Sequence, residues 1–163
     1  MRICIVPGSF DPFTMGHFDL VARASKLFDK VYVAVMTNSE KKGYFDFRQR
    51  KLIAEETCKD LPNVSVITAD GMLSDLCSAL GVCAIVKGVR NVTDFDYETT
   101  LASVNRHLAP DVETVFIPTN PKYSHVCSSF VREMLKYDQP LLGILHIDAI
   151  KLIKVDFKKE KQD

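Results

Sequence analysis

The stretch Ile3-Cys4-Ile5-Val6-Pro7-Gly8-Ser9-Phe10-Asp11-Pro12-Phe13-Thr14-Met15-Gly16-His17 decides the fold. Ile3 to Val6 is a short unbroken apolar run, as expected of a strand buried on both faces. Turn-forming residues follow. Beyond them Phe18, Leu20, Val21, Ala24, Leu27 and Phe28 fall at helical spacing. The first unit is therefore strand, loop, helix. Residues 31–36 form a second β-branched run. Asp46 reads as an N-cap with Gln49 three residues on, the capping-box spacing, opening a helix through Cys58. A third strand is predicted over 64–67, and a short helix over 74–80 stopped by Gly81. A fourth strand spans 82–86. Tyr97, Leu101, Val104 and Leu108, at spacings of four, three and four, mark the next helix. Residues 114–117 read as a fifth strand, and helices are predicted over 128–136 and 144–155.

Buried strands alternating with helices predict an α/β, Rossmann-like domain: a five-stranded, mostly parallel sheet flanked by helices and joined by right-handed crossovers. One domain is expected over 1–163, with the charge-dominated 156–163 a frayed or disordered tail. Apolar residues make up 47%, and 21 Lys+Arg balance 21 Asp+Glu to a net charge of zero. Such a chain is not disordered, and it has no global positive field for coating nucleic acid or an anionic membrane. Apolar runs fall short of the roughly 18 residues of a membrane span, so no membrane partner is expected. The five cysteines, Cys4, Cys58, Cys77, Cys83 and Cys127, are odd in number and none are spaced C-x-x-C. That argues against a disulfide framework or a zinc site and predicts a reduced, cytoplasmic compartment.

In such sheets ligands bind beyond the carboxyl ends of the strands, so the expected loops 7–16, 37–45, 68–73, 87–93 and 118–127 are where chemistry belongs. The first is neither a G-x-G-x-x-G fingerprint nor a P-loop ending in Gly-Lys-Ser/Thr, which disfavours hydride transfer. It has the makings of an anion site. Gly8 lets the backbone approach a ligand, Ser9 brings a hydroxyl and an N–H, and Gly16 allows close packing over the helix start. His17 projects from the positive end of the helix dipole. Lys41 and Lys42 lie in the second loop. Lys87 and Arg90 flank Gly88 and Val89 in the fourth. In the last, Ser128 reads as an N-cap, and the same free N–H groups and hydroxyls can receive phosphates.

Thr14-x-Gly16-His17 resembles the Thr/His-x-Gly-His signature of the nucleotidylyltransferases. The fuller Pro7-Gly8-Ser9-Phe10-Asp11-Pro12-x-Thr14-x-Gly16-His17 string is similar to that of the phosphopantetheine adenylyltransferase family. Lys87-Gly88-x-Arg90 and Asp94-Phe95-x-Tyr97-Glu98 resemble its Arg-Gly-x-Arg and Asp-Phe-x-Tyr-Glu segments, with Lys87 where the family has Arg. Val126-Cys127-Ser128-Ser129 resembles the superfamily's Ile-Ser-Ser-Ser, with a thiol for the first hydroxyl.

The resemblance implies transfer of the AMP moiety of ATP to the 4′-phosphate of phosphopantetheine, giving dephospho-coenzyme A and pyrophosphate. It implies ATP contacts from Ser9, Phe10, His17, Gly88, Val89, Arg90 and Glu98, and from Tyr123, Ser124, His125, Val126, Cys127, Ser128 and Ser129. Acceptor contacts would come from Ser9, Lys41, Leu73 and Lys87, with Lys42 the neighbouring alternative to Lys41. His17 would stabilise the transition state, with Lys41 and Arg90 beside it as catalytic cations. Mg²⁺ would arrive on the ATP phosphates rather than on protein side chains. A homohexamer and feedback inhibition by coenzyme A are also implied. The competing readings are a cytidylyltransferase or a nicotinamide mononucleotide adenylyltransferase, which generally carry His where Thr14 stands. A non-catalytic nucleotide-binding protein is the third, left open by Lys87 and Cys127.

Overall fold

The structure, a computed structural model, describes residues 1–36 and 43–157. Strands β1 (Ile3–Gly8), β2 (Lys30–Met36), β3 (Val64–Ala69), β4 (Ala84–Val89) and β5 (Glu113–Pro118) alternate with helices α1 (Met15–Leu27), α2 (Phe47–Cys58), α3 (Leu73–Leu80) and α4 (Val92–Leu108). After β5 come a 3-10 turn (Pro121–Tyr123), α5 (Ser128–Lys136) and α6 (Ile147–Lys151), which runs on into a π-helical turn (Leu152–Asp156). The sheet order is β3-β2-β1-β4-β5, and every neighbouring pair is parallel.

Strand alternation sorts the core into two layers. Cys4, Val6, Val31, Val33, Val35 and Val86 point to the face covered by α1, α2 and the C-terminal helices. Ile5, Ala34 and Ile85 point to the other, where Cys77 of α3 and Val82 meet them. Each fully buried aliphatic side chain contributes roughly 1.5–3 kcal/mol. The capping box of α2 forms as its sequence predicts: Gln49 N donates to Asp46 Oδ1 at 2.8 Å, and Asp46 N donates to Gln49 Oε1 at 3.2 Å. Gly81 ends α3 in the left-handed region, φ 63°. A Cβ there would meet nothing within 4 Å, so Gly81→Ala isolates the backbone cost. We expect it to lower unfolding stability by about 1 kcal/mol in urea titration; an unchanged midpoint would contradict this account.

Several boundaries differ from the sequence reading. β4 runs on through Lys87, Gly88 and Val89, whose register continues against Phe116, Ile117 and Pro118, so these residues belong to a strand end and not to a loop. The short helix starts at Leu73. α4 starts at Val92, where the Asn91 side chain accepts from Asp94 N. Its marker stripe is not core: no residue of α4 is buried, and Tyr97, Val104 and Leu108 are 64%, 49% and 45% exposed. The last helix starts at Ile147 because His146 caps it, its Nδ1 accepting from Asp148 N at 3.4 Å. Phe157 is buried beside Phe45, so the expected tail is packed at its start, and 158–163 lie outside the described residues.

All five cysteines are free thiols. Burial pushes Cys4 and Cys58 up to about 12 and Cys77 up to about 11, which leaves them unreactive at neutral pH. Among the described residues no helix is long and apolar enough to cross a membrane.

One join in the sheet is short. β1 pairs with β4 only at Cys4–Ala84 and Ile5–Ile85, whereas β1 pairs with β2 over its whole length. Pro7 has no N–H to offer a ladder, so the two strands part as they approach their carboxyl ends. The strand order also reverses at this join, the crevice where ligands enter open α/β sheets.

Candidate active site

A cavity of about 450 Å³ fills the opening between β1 and β4. Gly8, Ser9 and His17 line it from the β1 side, and Lys87, Gly88 and Arg90 from the β4 side. Cys127, Ser128, Ser129 and Arg132 close it from the start of α5.

The Thr14-x-Gly16-His17 motif has a local structural logic. Thr14 is the N-cap of α1, and His17, at N3, takes the place that Glu or Gln holds in an ordinary capping box. His17 N donates to Thr14 Oγ1 at 3.4 Å, and Thr14 N donates to His17 Nδ1 at 3.0 Å. A backbone N–H can only donate, so Nδ1 is the unprotonated nitrogen and the proton sits on Nε2. The ring packs against Phe10 (5.0 Å between centroids, edge-on) and Phe13 (5.4 Å). That apolar burial, reinforced by the Arg90 charge, lowers the His17 pKa to about 4. The site therefore holds a neutral imidazole with a fixed Nε2–H donor, not an imidazolium. In nitrogen-detected NMR the ring should titrate near pH 4 as the Nε2–H tautomer; a midpoint near the ordinary 6.5 would contradict the geometry. The linkage has one sign. The unfolded chain takes up this proton near 6.5, so stability falls as pH drops from 6.5 toward 4.

Phe10 is itself held in an unfavourable backbone region, φ 45°. Its ring lies over Gly8, where a Cβ would stand 2.9 Å from two ring atoms. Gly8 thus makes room for Phe10 as well as for a ligand. Gly16 has the milder constraint, with Tyr123 Cβ 3.7 Å from its would-be Cβ. The loop is tied down on both sides. The Asp11 carboxylate accepts from Tyr44 N at 2.8 Å and Phe45 N at 2.9 Å. Buried Arg50 donates from Nε to Phe45 O at 2.7 Å, lies 3.4 Å from Asp11 Oδ1, and reaches Ser9 O at 3.5 Å. From α5, Ser128 Oγ donates to Pro12 O at 2.9 Å and Arg132 donates to Asp11 O at 2.7 Å.

Ser128 consequently spends its hydroxyl on the first loop and is not the cap. The cap residue is Cys127, extended at φ −137° and ψ 156°, with no side-chain hydrogen bond to the helix. The first-turn N–H groups of α5 remain directed at the cavity end, as an anion site requires. Arg90 donates from Nε to Asp94 Oδ2 at 2.8 Å, and Lys87 pairs with Glu98 at 3.2 Å.

Ser9, Phe10, His17, Lys87, Gly88 and Arg90 thus meet at one cavity with Glu98, Val126, Cys127, Ser128 and Ser129. Leu73 does not join them: it packs with the Ile5–Cys77 layer. Val89, Tyr123, Ser124 and His125 also lie off the lining. Lys41 and Lys42 fall outside the described residues. Arg132 and Arg23 line the cavity and the Asp11–Arg50 pair braces its first loop, and sequence reasoning missed all of them. Arg132 had a signal: it follows Ser128 by four, one turn along the same helix face.

Residues 5–134 match the cytidylyltransferase-like family model. A phosphopantetheine adenylyltransferase from Caldanaerobacter subterraneus subsp. tengcongensis is 45% identical over 98% of this chain and 99% of its own. The chain belongs to the phosphopantetheine adenylyltransferase family. A second member, from Streptomyces coelicolor, is 50% identical over 82% of this chain and 84% of its own. Among solved structures, a Vibrio parahaemolyticus protein assigned as a nicotinate-nucleotide adenylyltransferase superposes with a TM-score of 0.70 at 17% identity, covering 94% of this chain and 92% of that one. That likeness concerns the fold. Within the family's pattern, the Lys87 and Cys127 departures both line the cavity.

Proposed function

We propose that the protein is an adenylyltransferase of coenzyme A biosynthesis, joining ATP and 4′-phosphopantetheine into dephospho-coenzyme A and pyrophosphate. The observation that carries this reading is a neutral His17 with its Nε2–H fixed, in a cavity ringed by cations and a helix N-terminus, in a chain 45% identical end to end to a phosphopantetheine adenylyltransferase.

An oxygen of the acceptor phosphate attacks the α-phosphorus of ATP. The bond from that phosphorus to the bridging oxygen breaks, and pyrophosphate leaves with the electron pair. The attacking oxygen is already ionised at neutral pH, so no general base is needed, and none is presented at the His17 ring. The protein's task is to align two polyanions and stabilise charge on the phosphoryl oxygens. The Nε2–H of His17 donates to an α-phosphoryl oxygen. Arg90 and the first turn of α5 hold the β- and γ-phosphates, and Arg132 extends that cationic wall. Ser9, Lys87 and Lys41 receive the acceptor phosphate. Mg²⁺ would arrive on the ATP phosphates, where it would neutralise charge on the leaving group.

Self-association belongs to the same reading. The uncovered Tyr97, Val104 and Leu108 stripe on α4 is an apolar face that a second copy can bury, in line with a homohexamer. Feedback inhibition by coenzyme A follows from its sharing the product's pantetheine arm and nucleotide. The thiol inventory supports a reduced cytoplasmic setting.

Incubation with ATP, Mg²⁺ and a panel of acceptors tests the reading. Pyrophosphate should be released with phosphopantetheine and not with nicotinamide mononucleotide or a cytidylyl acceptor supplied with CTP. ATP binding without release to any acceptor would overturn it.

A further inference from the structure

Phe10 stands in the left-handed region, φ 45°, with its ring edge-on to His17 at 5.0 Å and tilted against Phe13 at 5.0 Å. A phenylalanine does not take up that backbone conformation unaided, so its surroundings must impose it. They do so on both flanks, and from one side chain. Arg50 of α2 reaches Ser9 O at 3.5 Å on one side of Phe10 and lies 3.4 Å from Asp11 Oδ1 on the other. Its Nε also donates to Phe45 O at 2.7 Å, and its guanidinium lies over the Phe47 ring at 5.0 Å. The end of the fork fills the space beside Gly43, where a Cβ would collide with Arg50 Nη2. Arg50 is 6% exposed and does not line the cavity. A buried cation is thus given over to the backbone around one residue of the site.

We propose that Arg50 is a positioning residue for His17: it clasps the backbone on either side of Phe10, and so holds the Phe10 ring as the wall that keeps the imidazole dry and its orientation fixed. The inference rests on the role proposed above for His17. The planar fork suits the task because it serves Ser9 O, Asp11 and Phe45 O at once, which the single ammonium of a lysine cannot do in fixed geometry. The other charged or titratable groups that share the cavity with the ring are Asp19 and Arg23 on α1, Lys87 and Arg90 at the end of β4, Asp94 and Glu98 on α4, and Cys127 and Arg132 from α5 and its cap. Each of these carboxylates is paired with a cation, Asp19 with Arg23, Asp94 with Arg90 and Glu98 with Lys87. A change at residue 50 alters none of them. Movement of the ring's titration therefore reports its apolar wall.

Arg50→Lys keeps the charge facing Asp11 and loses the fork. In nitrogen-detected NMR of the free protein, His17 should then titrate about one pH unit or more above its wild-type midpoint of about 4, toward the ordinary 6.5. The kcat should fall by about tenfold or more, with the KM for ATP held within about threefold. Phe10→Leu, which leaves the partners of Arg50 in place, should move the midpoint the same way. Arg50→Lys should add little to that shift, because both changes act through one ring. Loss of stability alone would lower the melting temperature and leave the midpoint where it is. A folded Arg50→Lys or Phe10→Leu protein that titrates like wild type, or two shifts that add in full, overturns the positioning role. Should Arg50→Lys not fold, Gly43→Ala, which keeps the guanidinium and crowds its end, carries the same expectation and the same refutation. The titration uses no substrate, so its failure leaves the functional reading standing. A wild-type protein that releases no pyrophosphate with phosphopantetheine overturns that reading and leaves the titration result intact.

Discussion

Replacing His17 with alanine should lower kcat by about 10²–10³, with ATP affinity held within a few-fold. The size follows from what the side chain contributes. Its Nε2–H is fixed by the Thr14 N–H to Nδ1 hydrogen bond and walled by Phe10 and Phe13, so in the proposed reaction it would meet the α-phosphate without reorganising. A preorganised donor aimed at charge that develops only in the transition state acts on kcat and little on substrate binding. Alanine also removes the acceptor of the Thr14 N–H and so weakens the helix cap by about 1 kcal/mol. Glutamine separates the two effects, because Gln at N3 restores the capping box. His17→Gln should therefore unfold like wild type and still lose the rate. Turnover near wild type in either variant would remove His17 from the transition state.

Asp11→Ala should destabilise the protein by about 3–5 kcal/mol, measured by urea titration. Asp11 is buried, accepts from two consecutive backbone N–H groups and faces the equally buried Arg50. Removing it takes away the carboxylate that the Tyr44 and Phe45 N–H groups donate to and the counter-charge that faces the buried Arg50 guanidinium. The same loss frees the loop that holds Phe10 in the left-handed region, so rate should fall along with stability. A loss below about 1 kcal/mol would mean the pair is solvated and carries no strain.

Much of this was legible in the sequence, for identifiable reasons. The central strands β1, β2 and β4 are buried and read as apolar runs, so they and the parallel sheet could be placed from Ile3–Val6 onward, whereas the edge strands β3 and β5 are only partly buried. Local hydrogen bonds are written locally, which is why the Asp46–Gln49 box and the Gly81 stop came out where expected. The eleven-residue string ending in His17 carried the family, and the relatives bear that out. Sequence did not show that His17 completes a capping box with Thr14, because histidine is not the residue that motif predicts.

The rest depended on contacts distant along the chain. Which way the α4 stripe faces was decided by packing: spacing marks a helix, but whether its apolar side meets the sheet or solvent depends on where β4 and β5 lie beneath it. Ser128 lost its capping role because its hydroxyl meets Pro12 O, 116 residues away. The protonation state of His17 came from burial against Phe10 and Phe13, and the charge state of the cavity from pairs such as Lys87–Glu98 across β4 and α4. Periodicity and local caps follow from neighbours in the chain, so the sequence by itself determined the elements and the chemistry they carry. The opening at β1–β4 and the partners of each charge are matters of three-dimensional proximity and dielectric, and only the tertiary structure decided them.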